Sequence, residues 1–204
     1  SNTDSQEFSA GPNGFNGNLF VRDFETEQIL TNAGFIIEAE EEIYVSIRVS
    51  STPVNFCGNQ GCHGGALVSK GESALGTKFR LGALQIRQNN QQNFGSVMAT
   101  ENQTIINIQL PSGQTMRSGN NSATVTLNAG ESYVFSSEDS SSPGYGIIGT
   151  LIESNKPIVV SCGSATGSFA VGSSSGGQDY GIDQIVGADK VGSESVSYTH
   201  LTLP

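Results

Sequence analysis

Between residues 94 and 163, short apolar segments follow one another with only a few turn-forming residues between them, and this spacing constrains the fold more than any other feature. Residues 95–100 and 104–110 flank Glu101-Asn102-Gln103. Residues 123–127 and 132–136 flank Asn128-Ala129-Gly130-Glu131, and residues 149–152 and 158–162 flank Ser154-Asn155-Lys156-Pro157. β-Branched and aromatic side chains fit a pleated, half-buried surface, while Asn, Gly and Pro supply the dihedrals of tight turns. The pattern therefore reads as three successive hairpins in an antiparallel meander. Pro157 has no N–H to give a neighbour, so it is expected to open the strand 158–162 rather than lie inside it.

Elsewhere the strand signals are shorter. Residues 18–23 read as an edge strand, and residues 35–38 pair with 43–50 around an acidic turn at 39–42. In the second of these, Ile43, Val45, Ile47 and Val49 alternate with Tyr44, Ser46 and Arg48, the period of a sheet buried on one face. A loop over 51–65 leads to strands at 66–68 and 78–86, and the Asn/Gln tract 88–93 reads as an exposed loop. No window carries apolar spacing of three and four over more than two turns. The 26 glycines, the absence of Trp and a charged fraction of only 14% suit short strands and many turns.

Nineteen acids against nine bases give a formal charge of −10, which repels phosphate backbones and anionic headgroups, so neither nucleic acid nor a membrane surface is expected as a partner. No apolar run reaches the roughly 18 residues that a spanning helix needs. The chain opens on Ser1-Asn2-Thr3-Asp4, without an initiator Met or the basic-then-apolar layout of a signal peptide, and is expected to be a piece of a longer protein.

An internal repeat organises these segments. Gly34-Phe35-Ile36-Ile37-Glu38 aligns with Gly149-Thr150-Leu151-Ile152-Glu153, and Ile43-Tyr44-Val45-Ser46 with Ile158-Val159-Val160-Ser161, both 115 residues apart. Leu67-Val68 matches Ile185-Val186, and Gly76 matches Gly192. The expected division is a preceding unit or loop at 1–33, a first repeat at 34–148, the start of a second at 149–195, and a non-native tail at 196–204, whose His200 is given no role. The fold expected is all-β, with antiparallel repeats packed as β-sandwiches. Propeller-like blades are the alternative.

Five motifs in order carry a family resemblance: Gly65-Ala66-Leu67-Val68-Ser69-Lys70-Gly71 leading to Ala74-Leu75-Gly76-Thr77-Lys78-Phe79; Val97-Met98-Ala99-Thr100-Glu101-Asn102-Gln103-Thr104; Val125-Thr126-Leu127-Asn128-Ala129-Gly130-Glu131-Ser132-Tyr133; Ser154-Asn155-Lys156-Pro157-Ile158-Val159-Val160; and Tyr180-Gly181-Ile182-Asp183-Gln184-Ile185-Val186. Over about residues 34–192 the chain resembles the N-terminal domain family of IgGFc-binding protein, in the version carried by large secreted surface proteins of Bacteroidetes. The resemblance implies a secreted or cell-surface adhesion module without catalysis or cofactor, whose partner is an extracellular protein or glycan. A structural spacer repeat is the alternative. No Fc-contacting motif can be placed on these residues, so immunoglobulin binding does not follow from the likeness.

Three cysteines remain to be explained. Cys57 and Cys62 bracket a Gly-rich loop, and the export implied by the resemblance makes a local disulfide the expected state, worth on the order of 2 kcal/mol for so short a ring. Free thiols, or a metal held with His63, stay open, although adjacent Cys62 and His63 seldom converge on one ion. Cys162 reads as a small hydrophobe at the end of a buried strand. Cys162 with His63 and either Asp179 or Asp183 lacks any signature of an activated nucleophile. Glu38, Glu40, Glu41, Glu42, Glu101 and Glu153 supply carboxylates for glycoside cleavage, but no Trp platforms accompany them, so a carbohydrate-active enzyme is the weakest reading. The glycine-rich stretches 163–168 and 172–177 read as long exposed loops without the Gly-Lys-Ser/Thr ending of a phosphate cradle. The spacing of Asp139, Asp179, Asp183 and Asp189 fits no EF-hand.

Overall fold

A computed structural model describes residues 21, 23–31, 33–34, 36–51, 63–86, 91–137, 144, 146–167 and 179–192. Among the described residues ten strands follow one another: β1 (Ile29–Leu30), β2 (Ser46–Ser51), β3 (His63–Val68), β4 (Gly76–Arg80), β5 (Asn93–Ala99), β6 (Thr104–Gln109), β7 (Ser122–Leu127), β8 (Ser132–Ser136), β9 (Leu151–Gly167) and β10 (Asp179–Ile185). Single 3₁₀ turns cover Asp23–Glu25, Gly71–Ala74 and Ala188–Lys190, and the described residues include no α-helix. All pairings are antiparallel, as the sequence leads one to expect. The layering differs from two stacked sheets. Eight strands form one nearly closed, barrel-like sheet, and β2 with β3 forms a separate ribbon.

The 17-residue β9 is the spine of the sheet. Along one edge it pairs with β6, from Gln109↔Leu151 to Ile106↔Ser154, and then with β5, from Ala99↔Ile158 to Asn93↔Ser164. Its other edge carries β4 and then β10. β5 and β6 thus lie end to end along β9 instead of folding back on each other. One strand further out the arrangement recurs, since β7 pairs β6 and β8 pairs β5. None of the three connectors read as hairpin turns reverses the chain. Between β6 and β7 the reversal comes later, in residues 110–121, where Leu110 N donates to Asn121 O and Met116 N to Asn120 O.

The three connectors are corners at which long strands pass from one half of the sheet to the other, and a corner leaves backbone groups outside the ladder that need other partners. Asparagines supply them. Asn155 Oδ1 accepts from Ile105 N at 2.8 Å, Asn128 Oδ1 from Gln103 N at 3.3 Å, and Asn102 Oδ1 from Ala129 N at 3.1 Å. Lys156 Nζ donates to the Asn102 carbonyl at 2.6 Å, and Thr100 Oγ1 to the Pro157 carbonyl at 2.8 Å. Pro157 therefore lies within the span of β9, contrary to expectation, but at a place where the ladder is interrupted: the β4 register jumps from Lys78↔Glu153 to Gly76↔Ile158. A missing N–H costs nothing there. Asn155→Ala is expected to cost about 1 kcal/mol in urea denaturation, the usual net worth of one such bond. An unchanged midpoint would mean that this corner is not held by its side chain.

Alternate residues of β5 and β6 point inward, and both halves of the bent sheet contribute to one core that includes Phe79, Val97, Ile106, Phe135, Ile152 and Ile158. Two polar stretches read as exposed loops belong to this interior. Gln91, Gln92 and Asn93 are buried, and Asn93 Nδ2 donates to Leu84 O at 2.7 Å and Ser164 Oγ at 3.1 Å, so the end of the Asn/Gln tract joins β5 to the segment before it. Gly163 and Ser164 sit buried inside β9. The pair expected between 35–38 and 43–50 is replaced by β2 with β3, from Ser46↔Val68 to Ser51↔His63, while residues 36–45 form no strand. Cys57, Cys62, Asp139, most of 18–23, residues 88–90 and 172–177, and the tail from 193 lie outside the described residues.

Candidate binding surface

Two hairpins stand side by side. The second half of β9 pairs with β10, and the β2–β3 ribbon packs on β10 through β3. At one end Gly65 of β3 meets Tyr180 of β10 so closely that a Cβ on Gly65 would lie 2.8 Å from the Tyr180 Cβ and carbonyl oxygen. At the other end Lys70 N donates to Gln184 Oε1 at 2.5 Å, and Lys70 Nζ pairs with Asp183 at 2.7 Å and also reaches the Gln184 carbonyl. Gln184 is buried, so its amide fixes β3 against β10 more firmly than the exposed ion pair, whose worth is under about 1 kcal/mol. Beyond these contacts Gly187 N donates to Ala74 O at 3.3 Å, tying together the 3₁₀ turns that follow β3 and β10.

Because Gly65 meets Tyr180 and Lys70 meets Gln184, β3 and β10 run in the same direction and both hairpins have their tips at the same end. From that end depart residues 52–62, between β2 and β3, and residues 168–178, between β9 and β10, eleven in each connection. Neither connection contains a charged residue, in a chain of formal charge −10. Each is made of small and polar residues with one aromatic, Phe56 in the first and Phe169 in the second.

The other candidates do not converge. Cys162 is buried in β9, and burial, the leading cause, pushes its thiol pKa up, the reverse of what a nucleophilic cysteine requires. It lies opposite Asp183, whose carboxylate is held by Lys70. His63 opens β3 beyond Gly65, near the hairpin tips, and so stands roughly 10 Å or more along the strands from Cys162. Glu153 pairs with Lys78 at 2.8 Å, Glu101 lies 3.7 Å from Lys156, and Glu38, Glu40, Glu41 and Glu42 are exposed on the segment before β2. Among the described residues no three His, Cys, Asp or Glu side chains gather as a metal site would need. The contacts of Lys70, Gln184 and Tyr180 carried no signal in the sequence beyond the repeat, because each depends on two hairpins more than a hundred residues apart.

Within the described residues, β2–β3 and β9–β10 are therefore two hairpins fixed side by side through β3 and β10. The family model described as IgGFc binding protein matches residues 64–202, from β3 onward. That is more than half of the chain, which therefore belongs to this family, one named for binding and not for a reaction. The match continues past residue 196 into the stretch that the sequence sets apart as a tail. No curated protein and no solved structure is similar enough to match. No helix among the described residues is long and apolar enough to cross a membrane.

Proposed function

We propose that this chain is a non-catalytic binding module of a secreted or cell-surface bacterial protein, which holds an extracellular protein partner between its two hairpin tips. The observation that carries the reading is the pair of uncharged eleven-residue connections leaving one end of a locked hairpin pair. Small polar residues with a few aromatic anchors form adaptable contact surfaces at low conformational cost. Freedom from charge spares such a surface the desolvation of ions on binding. Cys57 and Cys62 close the first connection as a disulfide, stiffening one half of the surface before the partner arrives.

The test is an array of immobilised extracellular proteins, including IgG Fc, fibronectin and mucin, probed with the exported chain. Binding to at least one is expected. Replacing residues 168–178 by a Gly-Ser linker of equal length should weaken it about tenfold or more, the loss of one anchor's worth of contact. Undiminished binding by that variant would move the surface elsewhere, and no binding to any protein would favour the spacer reading. Mass spectrometry of the same sample should show Cys57 linked to Cys62; two reduced thiols would remove the disulfide from the proposal.

A further inference from the structure

The segment leading into β2 exposes an apolar strip that the interior of this same chain explains. Ile37 is 54% exposed and Ile43 53%, with Ile36 and Tyr44 also open to solvent. At an offset of 115 these two isoleucines align with Ile152 and Ile158 of β9, both fully buried. β2 and β3 form a hairpin with an eleven-residue connection followed by the 3₁₀ turn Gly71–Ala74, while β9 and β10 form a hairpin with an eleven-residue connection followed by the 3₁₀ turn Ala188–Lys190. In the second copy these residues lie in a core sheet: Ile152 pairs with Ile108 of β6, and Ile158 with Ala99 of β5. Among the described residues no such strands lie along the first copy, and β2 pairs with β3 alone.

We infer that residues 36–51 are the spine strand of a preceding unit, and that the apolar strip is the docking face for another copy of the β5 to β8 strands carried N-terminal to residue 21. The same offset supports this from the other side, since Leu19-Phe20 falls on Val134-Phe135 of β8. An edge strand with a bare apolar flank is a hazard to a lone domain, whereas in a tandem array each copy closes the next. The protein's repeats would then be interlocked, each hairpin with its eleven-residue connection belonging to a spine that its own upstream strands complete.

The test replaces residues 1–20 by a second copy of residues 71–135 and leaves residues 21–204 intact. Hydrogen exchange over residues 36–51 should slow by about a hundredfold or more relative to the unaltered chain, as for amides taken into a core sheet. Ile43→Asp should abolish that slowing, yet shift the melting temperature of the unaltered chain by no more than about 2 °C, as befits an exposed position. Unchanged exchange in the extended chain overturns the inference, whether the added copy stays unfolded or folds without docking. Protection of residues 36–47 that rises with concentration of the unaltered chain also overturns it, since a second molecule would then be the occupant.

Discussion

Val160→Asp is expected to unfold the chain or leave it several kcal/mol less stable. Val160 is fully buried at the centre of the spine strand, opposite Val97 of β5 on one side and Ile185 of β10 on the other. A carboxylate there would have neither a cation nor water, and it would be buried unpaired or protonated at neutral pH, a cost on the order of 4 kcal/mol. Domains of this kind hold only about 5–15 kcal/mol in total. Pro157→Ala, three residues away, is expected to change stability by less than about 1 kcal/mol, mostly through the freer unfolded chain, because the ladder is already interrupted at that corner. Chemical denaturation of both variants separates these outcomes, and a Val160→Asp protein as stable as its parent would remove β9 from the core.

The second large effect is expected at Gly163. β10 crosses this position so closely that a Cβ would overlap the Gly181 carbonyl oxygen and lie 3.0 Å from the Ile182 Cα. Those atoms are backbone, and a strand paired in a ladder cannot turn aside as a side-chain rotamer can. Gly163→Ala should therefore cost about 3 kcal/mol and loosen β10 from β9, which also loosens the hairpin that carries residues 168–178. Gly82, where a Cβ meets nothing within 4 Å, is the control, and Gly82→Ala should stay within about 0.5 kcal/mol of the parent. Faster amide exchange in β10 of the Gly163 variant, with β6 and β7 unaffected, is the signature of this mechanism; a melting temperature equal to the parent's would contradict it.

How much of this was legible in the sequence depends on which physical question a residue answers. Strands β5 to β8 lie close to where alternation places them, because alternation records which face is buried, and burial is local along a strand. The connectors are ambiguous in the sequence because Asn102, Asn128, Asn155 and Pro157 are suited equally to a reversal and to a corner. Both conformations need a residue that tolerates an interrupted ladder, and only the identity of the strand across the gap tells them apart. Gly163-Ser164 and Gln91-Gln92-Asn93 are ambiguous for a related reason. Composition marks them as loop, yet one glycine makes room for β10, and Asn93 with Ser164 closes a buried set of hydrogen bonds. As for the candidate surface, the Gly-rich connections are visible in the sequence, but the contact between the hairpins that carry them is not, since it rests on Lys70 finding Gln184 across 114 residues.

A nuclear Overhauser spectrum of the chain tests the side-by-side hairpins most directly. Cross-peaks from Gly65 to Tyr180 and from Lys70 to Gln184 are expected together with those from Val160 to Ile185, which would place β3, β10 and β9 in one body with both tips at one end. If the Val160 to Ile185 contact is present while β3 shows none to β10, the ribbon is not seated on the sheet and the two connections do not share a surface.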